Sequence, residues 1–417
     1  MTNPLPDGAR PLPRSLAQLT GASIDSIDTP ALVVDLDAME RNLARMADFA
    51  RSHGMRWRPH AKMHKSAELA LMQVRAGAVG VCVQKTAEAE AMVAGGVRDV
   101  YISNEVVSLF KLQRVAHMAL ALEAEKGKIS IAVDSLEGVQ RLAAAMQALN
   151  GPAQVDVFVE IDVGHGRCGV PPGPAALVLA QEIVRHTRLR FAGLQAYQGR
   201  AQHLRTLAER RSAIAVAAQA VRATRECLEA AGLSVDLVSG AGTGSFALET
   251  ASGVYGELQT GSFLFMDADY AANQIDAEAE AQTPRFEHAL FVKSQVISTH
   301  AGHVVCDAGH KSHAVDSGLP KVVVPGDAGA TALDYSSGGD EHGILRVRSP
   351  QLPLPQLGDT VWLIPGHCDP TVNLHDFMIG VRPASGGAPM ATGAAGQGLT
   401  HATVERIIRI DARGALT

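Results

Sequence analysis

The sequence lacks the features that would mark it for secretion, for a membrane or for nucleic acid. Its 417 residues include only five cysteines, odd in number and widely scattered, so we expect no disulfide framework. No apolar run approaches the roughly 20 residues that span a bilayer, and the proline-rich first 19 residues contain no apolar signal core. The net charge is only −6, from 37 basic and 43 acidic residues, and it is spread along the chain. We therefore expect a cytoplasmic protein with no membrane or nucleic-acid partner.

The chain does contain an ordinary globular balance, 47% hydrophobic and 19% charged residues, over a length that favours more than one structural unit. From about residue 30 to 270, short β-branched runs alternate with segments whose apolar residues recur at i, i+3 and i+4. This alternation predicts βα units around a parallel sheet. The strand-like runs are residues 31–36, 55–60, 78–84, 99–104, 129–134, 156–161, 191–197, 235–240 and 255–263. Nine strands are one more than a (β/α)8 barrel uses, so one strand must lie elsewhere.

The pattern changes after about residue 285. Apolar and polar residues alternate at period two, with turns between the runs and little helical periodicity, which predicts an antiparallel β domain. The runs are residues 288–309, 342–349, 359–365 and 404–414. Residues 383–400 are small and flexible, and are predicted to form a surface loop.

A lysine in the stretch RPHAKMHKS, Lys62, stands just after a predicted strand. In a parallel barrel that position is the carboxyl-terminal rim, where active sites lie. A lysine there can act as a Schiff-base nucleophile if desolvation or nearby cations depress its pKa. Arg58, His60, His64 and Lys65 are the candidate cations. A solvated basic turn is the alternative interpretation.

A glycine-rich loop, SGAGTGS at residues 239–245, also follows a predicted strand. Glycines allow backbone N–H groups to converge on an anion, and neighbouring hydroxyls can add hydrogen bonds. The candidate phosphate-binding residues are Gly242, Thr243, Gly244 and Ser245. An ordinary tight turn is the alternative, because such a loop alone is a weak signal.

Three more polar residues stand at or just beyond predicted strand ends. Arg167, within FVEIDVGHGRCG, can bind a carboxylate or a ring nitrogen that stays unprotonated. Tyr197 can flank a flat cofactor, and His203 six residues later can act as a general base. Each alone is compatible with a surface or packing role. Together with Lys62 and the glycine-rich loop, they match the requirements of pyridoxal 5′-phosphate: a Schiff base, a ring-nitrogen partner, a stacking group and a phosphate cradle.

The segment PGHCDPTVNLHD, residues 365–376, places three metal-binding side-chain types side by side. If residues 365–370 are extended, His367 and Asp369 point to one face and Cys368 to the other. An imidazole with a carboxylate suits Mn²⁺ or Mg²⁺ with water in the open positions, whereas His367 with Cys368 would suit Zn²⁺. A polar turn without a metal is the further alternative, since a single H-x-D is a weak motif.

At this point the chain resembles the fold-type III pyridoxal-phosphate enzymes of alanine-racemase architecture. Within them it is similar to the family of D-threonine aldolase and D-serine dehydratase. The motifs that carry the resemblance run in the family's order over most of the chain: TPALVVDLDAMERN, RPHAKMHKS, EIDVGHGRCG, AYQG, SGAGTGS, ELQTGSFLFMDADY, CDAGHKSHAVDSGLP, DEHGIL and GHCDPTVNLHD. Ala241 stands where the family often has another glycine.

The resemblance implies an alanine-racemase-type (β/α)8 barrel with a C-terminal antiparallel β domain. Residues 1–36 would supply a strand to the β domain, residues 37–272 the cofactor-binding barrel, and residues 273–417 the β domain with the metal site. The barrel would begin at the strand before Lys62. The resemblance also implies a homodimer, with the active site near the partner's β domain.

The same resemblance implies roles for the site residues. Lys62 would hold pyridoxal phosphate covalently, Arg167 would meet the pyridine nitrogen, Tyr197 would flank the ring, and Gly242 to Ser245 would bind the phosphate. His203 matches a histidine assigned as the base in the aldolases, and the H-x-D pair matches their divalent-metal site. The dehydratase branch typically shows H-x-C with zinc, so Asp369 favours an aldolase.

The implied reaction is a retro-aldol cleavage of a D-β-hydroxy-α-amino acid of the threonine or 3-hydroxyaspartate type. The metal lowers the pKa of the β-hydroxyl, His203 removes its proton, and the Cα–Cβ bond breaks to give glycine and an aldehyde or glyoxylate. Three alternatives stay open at this point: a zinc-dependent D-serine or D-threo-3-hydroxyaspartate dehydratase, an amino-acid racemase of the same fold, and a non-catalytic pyridoxal-phosphate carrier.

Overall fold

The computed structural model describes residues 13–275, 283–323, 333–349, 353–383, 399 and 401–417. Its strands are, in chain order, β1 (Ala31–Asp35), β2 (Arg56–Trp57), β3 (Val81–Val83), β4 (Asp99–Glu105), β5 (Lys128–Val133), β6 (Val155–Glu160), β7 (Leu189–Ala196), β8 (Val238–Gly240), β9 (Glu257–Leu258), β10 (Leu290–His300), β11 (His303–Cys306), β12 (Lys321–Val323), β13 (Leu333–Ser337), β14 (Gly343–Val347), β15 (Thr360–Ile364), β16 (Phe377–Pro383) and β17 (Ala402–Arg409). The loop predicted at 383–400 lies outside the described residues except for Pro383 and Leu399.

The helices alternate with the strands in the first two thirds of the chain. They are α1 (Arg14–Ala17), α2 (Leu36–Ser52), α3 (Ala67–Arg75), α4 (Thr86–Ala94), α5 (Leu109–Ala124), α6 (Leu136–Gln147), α7 (Pro174–Val184), α8 (Leu207–Ala230), α9 (Phe246–Ser252) and α10 (Cys368–Val372). Short 3-10 turns occupy Ile24–Ser26, Ala61–Met63, Gly199–His203, Ser262–Leu264 and Tyr270–Ala272. No helix in the described ranges is both long enough and apolar enough to cross a bilayer.

Strands β2 to β9 form one parallel sheet, in the order β2-β9-β8-β7-β6-β5-β4-β3. Its two ends meet where His60 forms a parallel bridge with Cys82. The backbone N–H of Cys82 there donates to the Pro59 carbonyl at 2.8 Å. The predicted TIM-type barrel, beginning at the strand before Lys62 and ending at β9, is therefore confirmed.

The predicted strand in excess of the eight barrel strands is the first one, β1, which lies outside the barrel. It pairs antiparallel with β10 and parallel with β16, within a second, largely antiparallel sheet ordered β13-β14-β11-β10-β1-β16-β17, in which β15 pairs with β10 and β12. The prediction that the first strand joins the sheet of the C-terminal β domain, called the β region below, is therefore confirmed. The unit boundaries at residues 36 and 272 stay a prediction.

Side-chain caps set the starts of the barrel helices. Thr206 and Glu209 form a reciprocal capping box at the start of α8, and Ser135 accepts the Gly138 N–H at 3.2 Å at the start of α6. Each cap satisfies backbone donors that the first helical turn leaves unpaired. The helices therefore begin at defined points just after the strands, and their apolar faces pack on the Val- and Ile-rich sheet.

Side chains fill the interior of the barrel. Tyr101 and Phe158 pack with ring centroids 4.7 Å apart. The Tyr101 hydroxyl donates to Gln195 Oε1 at 2.9 Å, and Gln259 Nε2 donates to the same oxygen at 2.7 Å. Because the interior is a packed and hydrogen-bonded core, we expect a small molecule that contacts the barrel strands to bind at the rim, where the carboxyl ends of the strands meet.

Candidate active site

Lys62 lies at the rim, in the 3-10 turn Ala61–Met63 just beyond β2. Its neighbours Ala61 and Met63 are buried and anchor the turn, while 41% of the Lys62 side chain is exposed. The Lys62 amine is 3.6 Å from Asp369 Oδ2. This ion pair joins the end of a barrel strand to the segment of the β region that contains the predicted metal ligands. The two residues are 307 positions apart in sequence.

Two of the four predicted cations beside Lys62 are paired with acids. Arg58 is buried and donates from Nε to Glu257 at 3.0 Å and from NH1 to Asp99 at 2.6 Å. Lys65 is buried against Glu88. Both positive charges are thus compensated within the barrel wall.

The other two predicted cations are neutral imidazoles. Burial lowers the pKa of His64 to about 4, and burial lowers the pKa of His60 well below its usual value. Although burial opposes the charge on the Lys62 amine, the Asp369 carboxylate raises the pKa of Lys62. Nearby cations therefore do not depress the pKa of Lys62, because the charged group that contacts its amine is the Asp369 carboxylate.

Arg167 and Tyr197 lie together at the ends of neighbouring strands. Asp162 accepts the N–H groups of Gly164 and Gly166, both at 2.9 Å, and so folds the loop after β6 that carries Arg167. The Arg167 guanidinium lies 5.8 Å from the centroid of the Tyr197 ring. Within the described part of the chain it makes no ion pair or hydrogen bond, so its donors are free for an acceptor at the rim.

The loop after β8 is held by a buried glutamine. Gln202 Oε1 accepts the Gly244 N–H at 2.8 Å, and Gln202 Nε2 donates to Ser245 Oγ at 2.7 Å. Ser245 in turn donates to Glu249 at 2.8 Å, so the single proton of its hydroxyl is already used within the protein. A Cβ on Gly242 would lie 2.4 Å from Gln202 Oε1, so a larger residue there would push the amide away from these hydrogen bonds.

The first part of the same loop keeps free donors. Among the described residues, nothing accepts a hydrogen bond from the backbone N–H groups of Ala241, Gly242 and Thr243. Thr243 Oγ1 accepts the Phe263 N–H at 3.0 Å and retains its own proton for donation. Ala241 holds a left-handed φ of 71°, a conformation that turns the backbone at the strand end. Three adjacent N–H groups and a hydroxyl fit an anion such as a phosphate.

His203 ends the 3-10 turn Gly199–His203 that follows β7. Its Nδ1 is 2.6 Å from Asp269 Oδ2, and its ring centroid is 6.1 Å from that of Tyr270. The His203 side chain is 51% exposed, whereas that of Asp269 is 4% exposed. The imidazole is thus held on one side by a buried carboxylate, and its Nε2 is free of any hydrogen bond to the described residues.

The segment that contains His367 is not extended as predicted. His367 has extended backbone angles, but helix α10 begins at Cys368 and runs through Asp369 and Pro370. The helical turn still brings the two predicted ligands together, with His367 Nε2 3.8 Å from Asp369 Oδ1. Cys368 is fully buried in the hydrophobic core of the β region, although its sulfur lies 3.4 Å from the same Asp369 oxygen.

Contacts from distant segments orient this pair. Asp316 Oδ2 lies 2.7 Å from His367 Nδ1 and therefore holds the proton on that nitrogen, which leaves the Nε2 lone pair on the side of Asp369. Ser262 Oγ donates to Asp369 Oδ1 at 3.3 Å, and Asp267 Oδ2 accepts the Cys368 N–H at 3.0 Å. An imidazole nitrogen and a carboxylate with a supporting carboxylate behind the histidine fit a divalent cation.

A second acidic group lies at the ends of β4, β5 and β6. One ligand atom each from Glu105, Asp134 and Cys168 falls within 4.8 Å of the others. Burial and Glu105 raise the pKa of Glu160, beside them, to about 9, and burial raises the pKa of Cys168 to about 11. Glu160 and Cys168 therefore keep their protons at neutral pH, which limits the negative charge at this place.

The sequence did not identify Gln202, Asp267, Asp269 or Asp316 as site residues. All four lie in or beside stretches singled out as motifs: Gln202 directly precedes His203, Asp267 and Asp269 belong to FLFMDADY, and Asp316 to CDAGHKSHAVDSGLP. Their position within or beside these motifs was the signal that the sequence offered. The partners of these four residues, however, lie 42 to 101 positions away, and only the fold shows them.

Comparisons with known proteins agree with this arrangement. A family model described as the alanine racemase N-terminal domain matches residues 34–269, and one described as a putative serine dehydratase domain matches residues 289–381. The two matches coincide with the barrel and with most of the β region.

Relatives share most of their length with this chain. The 3-hydroxy-D-aspartate aldolase of Paracoccus denitrificans strain Pd 1222 is 42% identical over 367 residues, 87% of this chain and 91% of that protein. The D-threonine aldolase of an Arthrobacter species is 42% identical over 363 residues, with 87% and 91% covered. The crystal structure of D-threonine aldolase from Filomicrobium marinum has a TM-score of 0.85 at 44% identity, covering 95% of this chain and 99% of that chain. The chain therefore belongs to the alanine-racemase-fold family that contains D-threonine aldolase and 3-hydroxy-D-aspartate aldolase, and it is a carbon–carbon lyase.

Proposed function

We propose that this enzyme cleaves the Cα–Cβ bond of D-β-hydroxy-α-amino acids of the threonine or 3-hydroxyaspartate type, releasing glycine with an aldehyde or glyoxylate. The observation that carries the proposal is the meeting of Lys62 with Asp369 at 3.6 Å, and of Asp369 with His367 at 3.8 Å. A cofactor lysine and a two-residue metal site thus lie side by side. A racemase or a non-catalytic carrier has no use for the second of these features.

Pyridoxal 5′-phosphate is the cofactor that the family implies. Lys62 would hold it, Tyr197 would flank its ring, and the loop from Gly242 to Ser245 would bind its phosphate. The free N–H groups of residues 241–243 support this assignment, with Thr243 adding a hydroxyl while Ser245 acts through its place in the loop. When bound, the cofactor supplies an electron sink for the bond that breaks.

Arg167 is proposed as the partner of the pyridine nitrogen. Its guanidinium has no acid partner among the described residues and lies against Tyr197, so it can approach a flat ring edge-on. Because arginine keeps its proton at all accessible pH values, it can only donate to that nitrogen. A nitrogen that stays unprotonated makes a weaker electron sink, which limits wasteful racemisation at Cα.

His367 and Asp369 are proposed as the ligands of a divalent metal. One imidazole nitrogen and one carboxylate suit Mn²⁺ or Mg²⁺ better than Zn²⁺, which favours additional nitrogen or thiolate ligands. The metal supplies a Lewis acid for the β-hydroxyl of the substrate. The dehydratase alternative, with its H-x-C pair, has less support because Cys368 is packed in the core and Asp369 stands at the third place.

His203 is proposed as the base that accepts the proton of the β-hydroxyl. Replacing His203 with alanine should lower retro-aldol turnover by about 10²-fold or more, the usual scale for a general base. Bound cofactor, followed by visible absorbance, and bound metal, followed by elemental analysis, should remain. The exposed His300, at the far end of β10, gives a matched His300→Ala control that should retain activity. Near-normal turnover of His203→Ala would show that His203 is not the base.

We also propose that the enzyme is a homodimer in which each copy covers the barrel rim of the other. Three apolar side chains, in the loop after β4 and at the start of α5, are exposed there: Val107 at 50%, Leu109 at 53% and Phe110 at 81%. Burial of such a patch against another copy would remove apolar surface from water beside the active site. The barrel rim is also the face at which the resemblance expects the partner's β region.

Replacing Phe110 with serine should weaken the dimer. Each copy would lose about 2 kcal/mol of apolar burial, and because a two-fold interface counts the change twice, the dissociation constant should rise roughly 10³-fold. Light scattering coupled to size exclusion measures the mass, with 43.8 kDa expected for one chain. Val216, an exposed valine on α8, supplies the control Val216→Ser. An unchanged dimer in Phe110→Ser, or a monomeric wild type, would contradict the proposal.

A further inference from the structure

The contact between His203 and Asp269 joins an exposed imidazole to a buried carboxylate. Asp269 Oδ2 is 2.6 Å from His203 Nδ1, within hydrogen-bond range and short for a pair of this kind. The other oxygen, Oδ1, accepts a hydrogen bond from Arg205 NH2. Both oxygens of the Asp269 carboxylate are therefore used, one by the imidazole and one by an arginine.

The position of Asp269 is set independently of His203. Arg205 NH1 donates to the Asp269 carbonyl at 2.8 Å and to Asn273 Oδ1 at 2.9 Å. The Asp269 N–H donates to the Gly366 carbonyl at 3.2 Å, and the neighbouring Ala268 N–H donates to Pro365 at 2.9 Å. The backbone of Asp269 is thus hydrogen-bonded to the two residues that connect β15 to His367.

An ionised carboxylate only accepts hydrogen bonds, so the proton of a neutral His203 ring must lie on Nδ1, facing Asp269. The free lone pair is then on Nε2, which has no hydrogen-bond partner among the described residues. The other groups near the ring are Tyr270, with its centroid at 6.1 Å, and the cation Arg205 behind the carboxylate. His165 is a further ionisable group whose charge interacts with that of His203.

We propose that Asp269 is a positioning residue for His203: it selects the Nδ1–H tautomer and directs Nε2 to the substrate hydroxyl. The inference rests on the proposed role of His203 as the base. Because the same segment, residues 266–270, hydrogen-bonds to residues 365–368, it also keeps the base in register with the metal-binding pair. A shift of the metal loop would therefore move the base with it.

The test replaces Asp269 with asparagine, which has nearly the same shape but offers a donor as well as an acceptor. The amide can then turn its NH2 group to Nδ1 and place the ring proton on Nε2, where it blocks the base. We expect kcat to fall by about 10- to 100-fold, the usual scale for losing a carboxylate that orients a histidine. KM should change by less than about threefold, because Asp269 contacts the imidazole and not the proposed substrate position.

A spectroscopic readout that does not depend on turnover completes the test. In protein with ¹⁵N-labelled histidine, long-range ¹H–¹⁵N spectra report the tautomer of each ring, and the His203 signals are those absent from His203→Ala. We expect the Nδ1–H form in the wild type and in Asp269→Glu, which should also recover part of kcat. We expect loss of that form in Asp269→Asn. Asp236→Asn, the same change at an exposed carboxylate that contacts Ser234, should alter neither readout.

Two outcomes would overturn the inference, and they separate it from the proposed function. If His203→Ala abolishes turnover while Asp269→Asn keeps kcat within about twofold and keeps the Nδ1–H tautomer, the base stands and the positioning role of Asp269 is wrong. If His203→Ala itself retains turnover, both the base assignment and the inference fail. A melting temperature measured for every variant distinguishes these results from unfolding.

Discussion

Replacement of Asp369 by alanine is expected to abolish divalent-metal binding and, with it, aldolase activity. The proposed site has two protein ligands, and the substitution leaves only His367. A single imidazole binds a hard cation weakly. Lewis-acid stabilisation is worth several kcal/mol, so activity should fall by more than about 10³-fold. The measurement is metal content by elemental analysis after dialysis, beside glycine formation from D-threonine. Cofactor attachment at Lys62 should survive, as its visible absorbance will show.

The neighbouring cysteine supplies the control. Cys368 is fully buried in the core, and Cys368→Ala removes its sulfur without adding a polar group there. We expect this variant to keep its metal and most of its activity, with some loss of stability from the small cavity. A Cys368→Ala enzyme without metal, beside an Asp369→Ala enzyme that keeps it, would contradict both the ligand assignment and the aldolase proposal built on it.

The second large effect is expected at Lys62. Lys62→Ala removes the amine proposed to hold the cofactor, so covalent attachment should be lost and turnover should fall by about 10³-fold or more. Borohydride reduction of the wild type followed by peptide mass spectrometry should locate the cofactor on Lys62 and nowhere else. Lys311, an exposed lysine of the β region paired with Glu341, gives the control Lys311→Ala, which should keep the cofactor. A reduced adduct on any other lysine would show that the assignment is wrong.

Much of the barrel could be predicted because its signals are local. Each run of β-branched residues from 55 to 263 contains a strand of the parallel sheet, since strand formation there depends on continuous apolar burial. The position of β1 is different. Its composition resembles that of the barrel strands, and only the family resemblance indicated that it joins the β region, where it pairs with β10 and β16.

The extended backbone supposed at residues 365–370 is replaced in the structure by the start of a helix. Proline is tolerated in the first turn of a helix, where its missing N–H is not needed, and Pro370 lies there in α10. An acidic residue in the first turn, Asp369, is also typical of a helix start. His367 and Asp369 nevertheless converge, because His367 precedes the helix and Asp369 lies in its first turn.

The electrostatics of the site depend on contacts that spacing does not show. Lys62 was expected among cations, yet Asp369 lies 3.6 Å from it after 307 intervening steps of the chain. Likewise, the partner of His367 is Asp316, 51 positions away, and that of His203 is Asp269, 66 positions away. Lys62 and Asp369 meet because the barrel rim and the β region pack together, whereas the other two pairs each form between distant segments of one region. The sequence could therefore indicate the ligands but not their supports.

The most direct test of the proposed function is a product measurement with controlled metal. The purified enzyme is treated with EDTA, dialysed, and supplied with D-threonine or D-3-hydroxyaspartate, with and without Mn²⁺, Mg²⁺ or Zn²⁺. Glycine, the carbonyl product and ammonia are then quantified. We expect equal amounts of glycine and acetaldehyde or glyoxylate, no ammonia, no product without metal, and better recovery with Mn²⁺ or Mg²⁺ than with Zn²⁺. Ammonia with a keto acid in place of glycine, or full activity without metal, would contradict a metal-dependent retro-aldol cleavage.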